Sequence, residues 1–327
     1  MQSNSKVDVV TLGESMVLFQ PIGEKGVKYE SLFTKSLAGA ESNVSIGLTR
    51  LGKKVRWVSK LGKDPFGDFI LSTLAGEGVE VSQVIRDEHL PTAVYFKETK
   101  SYGDPTVYYY RKNSAASHIH PSDVSMDWLV GAKHLHVTGI TPALSESAAA
   151  AVRRTMELAK EMGLTISLDP NLRRKLWSEE EARKVLLSLI PLCDVFLPGL
   201  EEAEVLVGPQ SMEEYGEKFL KMGAKVVALK LGAEGSIGFI EGETVNAAPH
   251  VVHQVIDTVG AGDAFAAGFL SVFLDEQDAM TPSSLEKALS RANILGALAT
   301  QFKGDWEGIP TVDELNALET GKLEVKR

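Results

Sequence analysis

The stretch DTVGAGDAFAAGF, Asp257 to Phe269, sets three small residues, Gly260, Ala261 and Gly262, directly before a carboxylate, Asp263, and then runs into an alanine-rich apolar segment. Glycine before such a segment lets the backbone approach a ligand closely. The first amides of a helix starting here have no intrahelical acceptors and sit at its partially positive end, so they can hold an anion. An acid beside that anion hole suits phosphoryl transfer. It takes the proton of an attacking hydroxyl while the amides of Gly260, Ala261 and Gly262 stabilise the transferring group. An Asp at this place also caps a helix well. The local pattern alone leaves both roles open.

Two further stretches carry groups for a polar ligand. In VYYYRKNSAAS, Val107 to Ser117, strand alternation points Tyr109 and Arg111 one way and Tyr108 and Tyr110 the other. A guanidinium fork beside a phenol, facing a groove, suits a ligand with a carboxylate and hydroxyls. A solvated surface charge is the alternative role for Arg111. In SLDPNLRRKLW, the residues Asp169, Asn171 and Arg173 follow the end of a strand. Arg173 is a second candidate for an anionic group of a ligand. The chain has no G-x-x-x-x-G-K-[ST] P-loop and no G-x-G-x-x-G after a strand, since Phe265 stands where the third glycine would be.

The elements that must position these groups alternate. Strand-like runs at Val7–Leu12, Val55–Leu61, His134–Val137, Thr165–Leu168, Asp194–Leu197, Val226–Leu231 and Ser236–Ile240 are interspersed with helical spacing at Ala40–Leu51, Phe66–Glu77, Glu146–Met162, Glu179–Leu189, Ala264–Leu274 and Leu285–Phe302. Alternation of this kind predicts βαβ units and a doubly wound, mostly parallel sheet, with ligands beyond the carboxyl ends of its strands. Thr92–Glu98 and Thr106–Lys112, separated by SYGDP, read as a hairpin, and a second β-rich excursion lies between Met16 and Leu37. Together they predict a small β-lid, about residues 14–37 and 92–117, inserted in a single domain of residues 1–320 with a tail at 321–327.

Composition narrows the function classes. The 327 residues are 44% hydrophobic and 24% charged, an ordinary globular balance. A formal net charge of -10 argues against nucleic acid as a partner and requires any anionic substrate to meet a locally positive pocket. No run is long enough for a membrane helix, so no membrane association is expected. The single cysteine, Cys193 in LIPLCDVFL, reads as a buried small hydrophobe in a chain from a reducing cytoplasm. His134 and His136 share a strand face, but no third ligand accompanies them.

DTVGAGDAFAAGFL, together with LAGAESNVSIGLTRLG near the N-terminus, resembles the two signatures of the ribokinase/PfkB-type carbohydrate kinases, with Gly39 and Asn43 in the family's places. The resemblance covers essentially the whole chain. It implies a Rossmann-like domain with a β-lid, ATP with Mg²⁺ and a sugar in the groove between them, and Asp263 as the base. VYYYRKNSAAS, SLDPNLRRKLW and HVTGITPALS resemble the 2-keto-3-deoxygluconate kinases of that family. That resemblance implies a sugar acid bound by Gly39, Tyr95, Tyr109, Arg111 and Arg173, with Asp305 close by. Fructokinases carry a stretch similar to DPNLR. On the nucleotide side it implies Lys230, Gly232 and Gly235 in KLGAEG, Asn293 beside the adenine, and Glu202 near the phosphates. Gly199 departs from the family's usual Asn, which leaves the metal ligands open and gives a sugar-sensing module that has lost catalysis some room. Unpaired lid edges imply a homo-oligomer joined through the lid.

Overall fold

The computed structural model describes residues 7–23, 25–98, 106–276 and 279–319. The turn SYGDP at 101–105 and the tail at 321–327 lie outside them.

The first half of the chain runs β1 (Val9–Leu12), β2 (Met16–Pro21), α1 (Gly26–Tyr29), β3 (Phe33–Ala38), α2 (Ala40–Arg50), β4 (Val55–Val58), β5 (Lys60–Gly62), α3 (Pro65–Gly76), β6 (Ile85–Asp87), β7 (Val94–Glu98) and β8 (Thr106–Tyr110). The second half runs β9 (His134–Thr138), α4 (Glu146–Glu161), β10 (Thr165–Asp169), α5 (Glu179–Leu189), β11 (Val195–Phe196), α6 (Leu200–Val207), α7 (Met212–Lys221), β12 (Val226–Lys230), β13 (Ser236–Ile240), β14 (Glu243–Ala247), α8 (Ala261–Phe273), α9 (Pro282–Ala299) and α10 (Val312–Glu319).

Eight strands form the main sheet in the order β14-β13-β12-β11-β10-β9-β1-β4. From β4 to β12 neighbours are parallel, while β13 runs antiparallel to both β12 and β14. The parallel strands are buried on both faces, which is why they read as near-continuous apolar runs. Alternate residues serve opposite layers. Val10 and Leu12 pack with α4 to α7, whereas Val9 packs with α2, α8 and α9. The chain leaves β1 for β4 on one side and later for β9 on the other, so a crevice opens beyond their carboxyl ends.

The two β-rich excursions pair with each other rather than with the main sheet, giving a four-stranded sheet in the order β3-β2-β7-β8. The run expected as one strand from Val55 to Leu61 divides at Ser59. β5 leaves the main sheet and pairs with β6, and the Ile85 amide donates to the Ser59 carbonyl. Helix α8 begins at Ala261 instead of Ala264, because Gly260, at φ 82°, takes the cap position. Gly262 and Asp263 therefore belong to the first helical turn.

Candidate active site

A cleft of about 960 Å³ lies between the small sheet and the carboxyl ends of the main sheet. At its floor is Asp263, only 6% exposed. The Asn43 side-chain amide donates to its Oδ2 at 2.8 Å and the Asn171 amide to its Oδ1 at 3.2 Å. Asn171 itself sits at φ 37°, a region that Asn tolerates better than most residues. Burial raises the Asp263 pKa above the ordinary carboxylate value; the Asn43 hydrogen bond and the Arg173 charge oppose that rise. A side chain at Gly260 would strike the Asp305 carbonyl, and φ 82° disfavours one in any case. At Gly262 a Cβ would meet only the Lys230 ammonium, at 3.9 Å, so the first turn of α8 opens its backbone to the cleft.

The small sheet forms the opposite wall. Tyr95 and Tyr109 are register partners on β7 and β8, with ring centroids 5.4 Å apart. The Tyr95 hydroxyl donates to Asp305 Oδ2 at 3.3 Å. Arg111 lies beyond Tyr109, its guanidinium 5.4 Å from that ring and ion-paired with the fully buried Glu14. Ser114 donates to the other Glu14 oxygen at 2.7 Å. Tyr110 turns to the outer face against Phe96, as strand alternation requires. Burial pushes the Asp305 carboxyl up to about 7, with Lys97 opposing and Asp263 adding to the rise. Five buried polar atoms of cleft residues have no hydrogen-bond partner within the protein: Glu14 Oε2 and Arg111 Nη2, which face each other in the ion pair, and Asn43 Oδ1, Arg111 Nε and Asp305 Oδ1.

At the other end of the cleft, Lys230 binds both Asp169 oxygens, at 2.9 and 2.8 Å, with Glu202 3.9 Å away. Burial works against its charge, yet Asp169 and Glu202 hold its pKa above the ordinary lysine value. Glu202 accepts the Leu172 amide and the Gly199 amide, each at 2.7 Å, which ties the loop after β10 to the start of α6. Gly199 caps that helix with its backbone alone.

Most of the expected residues meet in this one cleft. Gly39, Asn43, Tyr95, Tyr109, Arg111, Arg173, Glu202, Lys230, Gly232, Gly260, Gly262, Asp263 and Asp305 all line it. Gly39 approaches the Glu14 carbonyl so closely that a Cβ would collide. Ala261, Gly235 and Asn293 are not among the lining residues. Ala261 turns its amide back to the Thr258 carbonyl at 3.4 Å. Gly235, at φ 96°, backs onto the Ala247 carbonyl. The Asn293 amide donates to the carbonyls of Ala247 and Ala248, at 3.2 and 3.0 Å, and ties α9 to the end of β14. Glu14 and Lys97 also line the cleft and were not expected there. Glu14 carries a signal, since it follows a strand's carboxyl end in GES; Lys97 carries only its place two residues after Tyr95 on an alternating strand.

His134 and His136 are core residues. Both bond to Ser167 Oγ, at 2.7 and 2.8 Å, and burial lowers the pKa of each to about 3. Among the described residues no group of three or more His, Cys, Asp or Glu is arranged to hold a metal, and no helix is long and apolar enough to cross a membrane.

The family model for pfkB family carbohydrate kinases matches residues 6–312, and the chain belongs to that family. It is 44% identical over 320 residues to a 2-dehydro-3-deoxygluconokinase of Bacillus subtilis, covering 95% of this chain and 94% of that one. A probable fructokinase-2 of Arabidopsis thaliana is 32% identical over 324 residues, 97% of each chain. The structure of a putative ribokinase II from E. coli, in complex with ATP and Mg²⁺, superimposes with a TM-score of 0.87 at 26% identity, over 96% of this chain and 99% of that one.

Proposed function

We propose that this protein transfers the γ-phosphoryl group of ATP to the terminal hydroxyl of 2-keto-3-deoxygluconate, giving the 6-phosphate. One observation carries the reading. Three of the buried polar atoms without a hydrogen-bond partner, Asn43 Oδ1, Arg111 Nε and Asp305 Oδ1, belong to residues of the cleft that also holds Asp263. Such groups cost stability unless a ligand satisfies them. Their chemistry, acceptors near Asp263 and a guanidinium donor on the lid, matches a chain with hydroxyls at one end and a carboxylate at the other.

In this reading the carboxylate meets Arg111 and the Tyr109 ring, with Arg173 as a second cation at the exposed rim. Gly39 lets the backbone lie against the sugar, and Tyr95 and Asp305 bracket its middle. Asn43 and Asn171 aim the Asp263 carboxylate. Its raised pKa makes it a better proton acceptor for a sugar hydroxyl than an ordinary aspartate. The amides of the first turn of α8, including those at Gly262 and Asp263, then face the charge of the transferring phosphoryl group.

ATP lies along the loop after β12, where Lys230 and Gly232 line the cleft, with Gly235 and Asn293 shaping the strand ends behind it. Mg²⁺ usually binds through one or two carboxylates together with phosphate oxygens and water, so Glu202 at the cleft edge, without a preformed cage, fits it. The metal would supply charge neutralisation on the phosphates. Closing the lid keeps water from the phosphoryl group. A cytoplasmic location and self-association through the edges of the small sheet complete the reading; sedimentation of the purified chain tests the latter.

A second reading rests on the Glu14–Arg111 ion pair, which already neutralises the lid arginine and leaves room for a neutral sugar such as fructose. ADP release with 2-keto-3-deoxygluconate, 2-keto-3-deoxygalactonate, fructose and ribose separates the two. High kcat/KM for the keto-deoxy acids alone is expected. Preference for fructose would favour the second reading, and no turnover with any sugar would point to a sensor.

A further inference from the structure

Lys97 is a lysine in an unusual place. It stands on β7 two residues beyond Tyr95, so it shares the inward face of the lid. Its side chain is 1% exposed, and its ammonium pairs with Asp257, whose side chain is 8% exposed. A buried charge of this kind is costly unless it is paired and hydrogen-bonded.

Asp257 opens the segment that leads into α8. Its own amide donates to the Thr300 carbonyl at 3.1 Å, and its Oδ1 accepts the Val259 amide at 3.1 Å. The Thr258 carbonyl in turn accepts the Ala261 amide. One Asp257 oxygen thus holds the turn that ends at Gly260 and Gly262, while the other is held by a lysine from the lid. The pair also lies within electrostatic reach of Asp305.

We infer that Lys97 is a positioning residue for phosphoryl transfer: through Asp257 it fastens the turn that presents the α8 amides, and so joins the lid that covers the sugar to the anion hole that faces the phosphoryl group. This rests on the kinase reading above. Because the ammonium is committed to Asp257, Lys97 acts on the transfer step rather than on sugar affinity.

The test is a set of steady-state measurements on Lys97→Met, Asp257→Asn and the double variant, with the sugar the wild type prefers. Misplacement of the anion hole should lower kcat about ten- to a hundredfold in each single variant, with the sugar KM within about threefold of wild type. The double variant should be no slower than the slower single one, since both remove the same link. A raised sugar KM with unchanged kcat would make Lys97 a sugar contact and overturn the inference, as would losses that multiply in the double variant. If the uncharged variants do not fold, Lys97→Arg keeps the charge with a different reach; it should lose kcat several-fold at constant KM, and unchanged kcat counts against the link. A further readout needs no turnover. In Lys97→Met, or in Lys97→Arg should the uncharged variant not fold, a non-hydrolysable ATP analogue should bind more weakly while ADP binds as in wild type, because only the analogue places a γ-phosphoryl group at the turn. Equal weakening of both, or of neither, overturns the inference. Failure of the kinase reading itself shows separately, as wild type that turns over no sugar.

Discussion

The Asn43 side-chain amide donates to Asp263 Oδ2 at 2.8 Å, joining residues 220 positions apart in the chain. Asn43 sits in the first turn of α2 and Asp263 in the first turn of α8, so two helix N-termini converge on one carboxylate. Asn171 takes the other oxygen. The carboxylate is oriented from both sides while burial keeps its proton affinity high. Asp263→Asn retains the shape and removes the proposed base. Turnover should fall by ~10²–10⁴ with sugar binding retained, the usual scale for loss of a general base. Near-normal kcat in this variant would remove Asp263 from the mechanism.

Arg111→Lys tests the carboxylate partner. Lysine can keep the ion pair with Glu14, but it has no fork to offer a second carboxylate. Hydrogen bonds to charged groups are worth about 1.5–3 kcal/mol, so the KM for a sugar acid should rise roughly tenfold to a hundredfold. The KM for a neutral sugar should change little. Equal effects on both kinds of sugar would mean that Arg111 serves only to anchor Glu14.

Much of this site was legible in the sequence because its signals are local. The glycines before Asp263 and the alternation through Tyr109 and Arg111 are properties of a few neighbouring residues, and both place their groups in the cleft. The partners of those groups are not local. Glu14 meets Arg111, Lys97 meets Asp257 and Lys230 meets Asp169 only once the sheets have formed, and no spacing announces such pairs. Long-range packing also sets Gly235 against the Ala247 carbonyl and commits the Asn293 amide to the carbonyls of Ala247 and Ala248. Among the elements, the expectation omitted α7, although Ser211 and Glu214 form a capping box there. It omitted β14 as well, whose residues are mostly exposed and whose apolar alternation is confined to Val245 and Ala247.

In the proposed function Asp305 links sugar affinity to pH. Its carboxyl titrates near 7, surrounded by Lys97, Asp263, Glu307, Asp257 and the Tyr95 hydroxyl. Below that value it is neutral; above it, it adds a negative charge to a cleft that, in the proposed function, accepts an anionic sugar. Two unit charges about 10 Å apart at an effective dielectric near 20 repel by roughly 1–2 kcal/mol, so the KM for a sugar acid should rise roughly three- to tenfold from pH 6 to pH 8. Asp305→Asn should flatten that rise. A slope that persists in the variant assigns it to another group.

Glu41 offers a test on stability rather than activity. It lies on α2, fully buried, and its Oε1 accepts the hydroxyls of Thr138 at 2.7 Å and Thr141 at 3.0 Å. Burial, with the nearby Asp263 charge adding to it, raises its pKa from the ordinary 4.5 to about 7. Between those values the folded chain keeps a proton that the unfolded chain has released. Folding stability therefore falls as pH rises through this window, and the loss is complete above the folded pKa. A shift of this size corresponds to a penalty on the order of 3 kcal/mol at high pH. Glu41→Gln mimics the protonated form and does not titrate. Urea unfolding at pH 5 and pH 8 should show the variant gaining on wild type by up to that amount as the pH rises. A difference that stays constant between the two would mean that Glu41 is charged in the folded protein throughout, held by the two threonine hydroxyls.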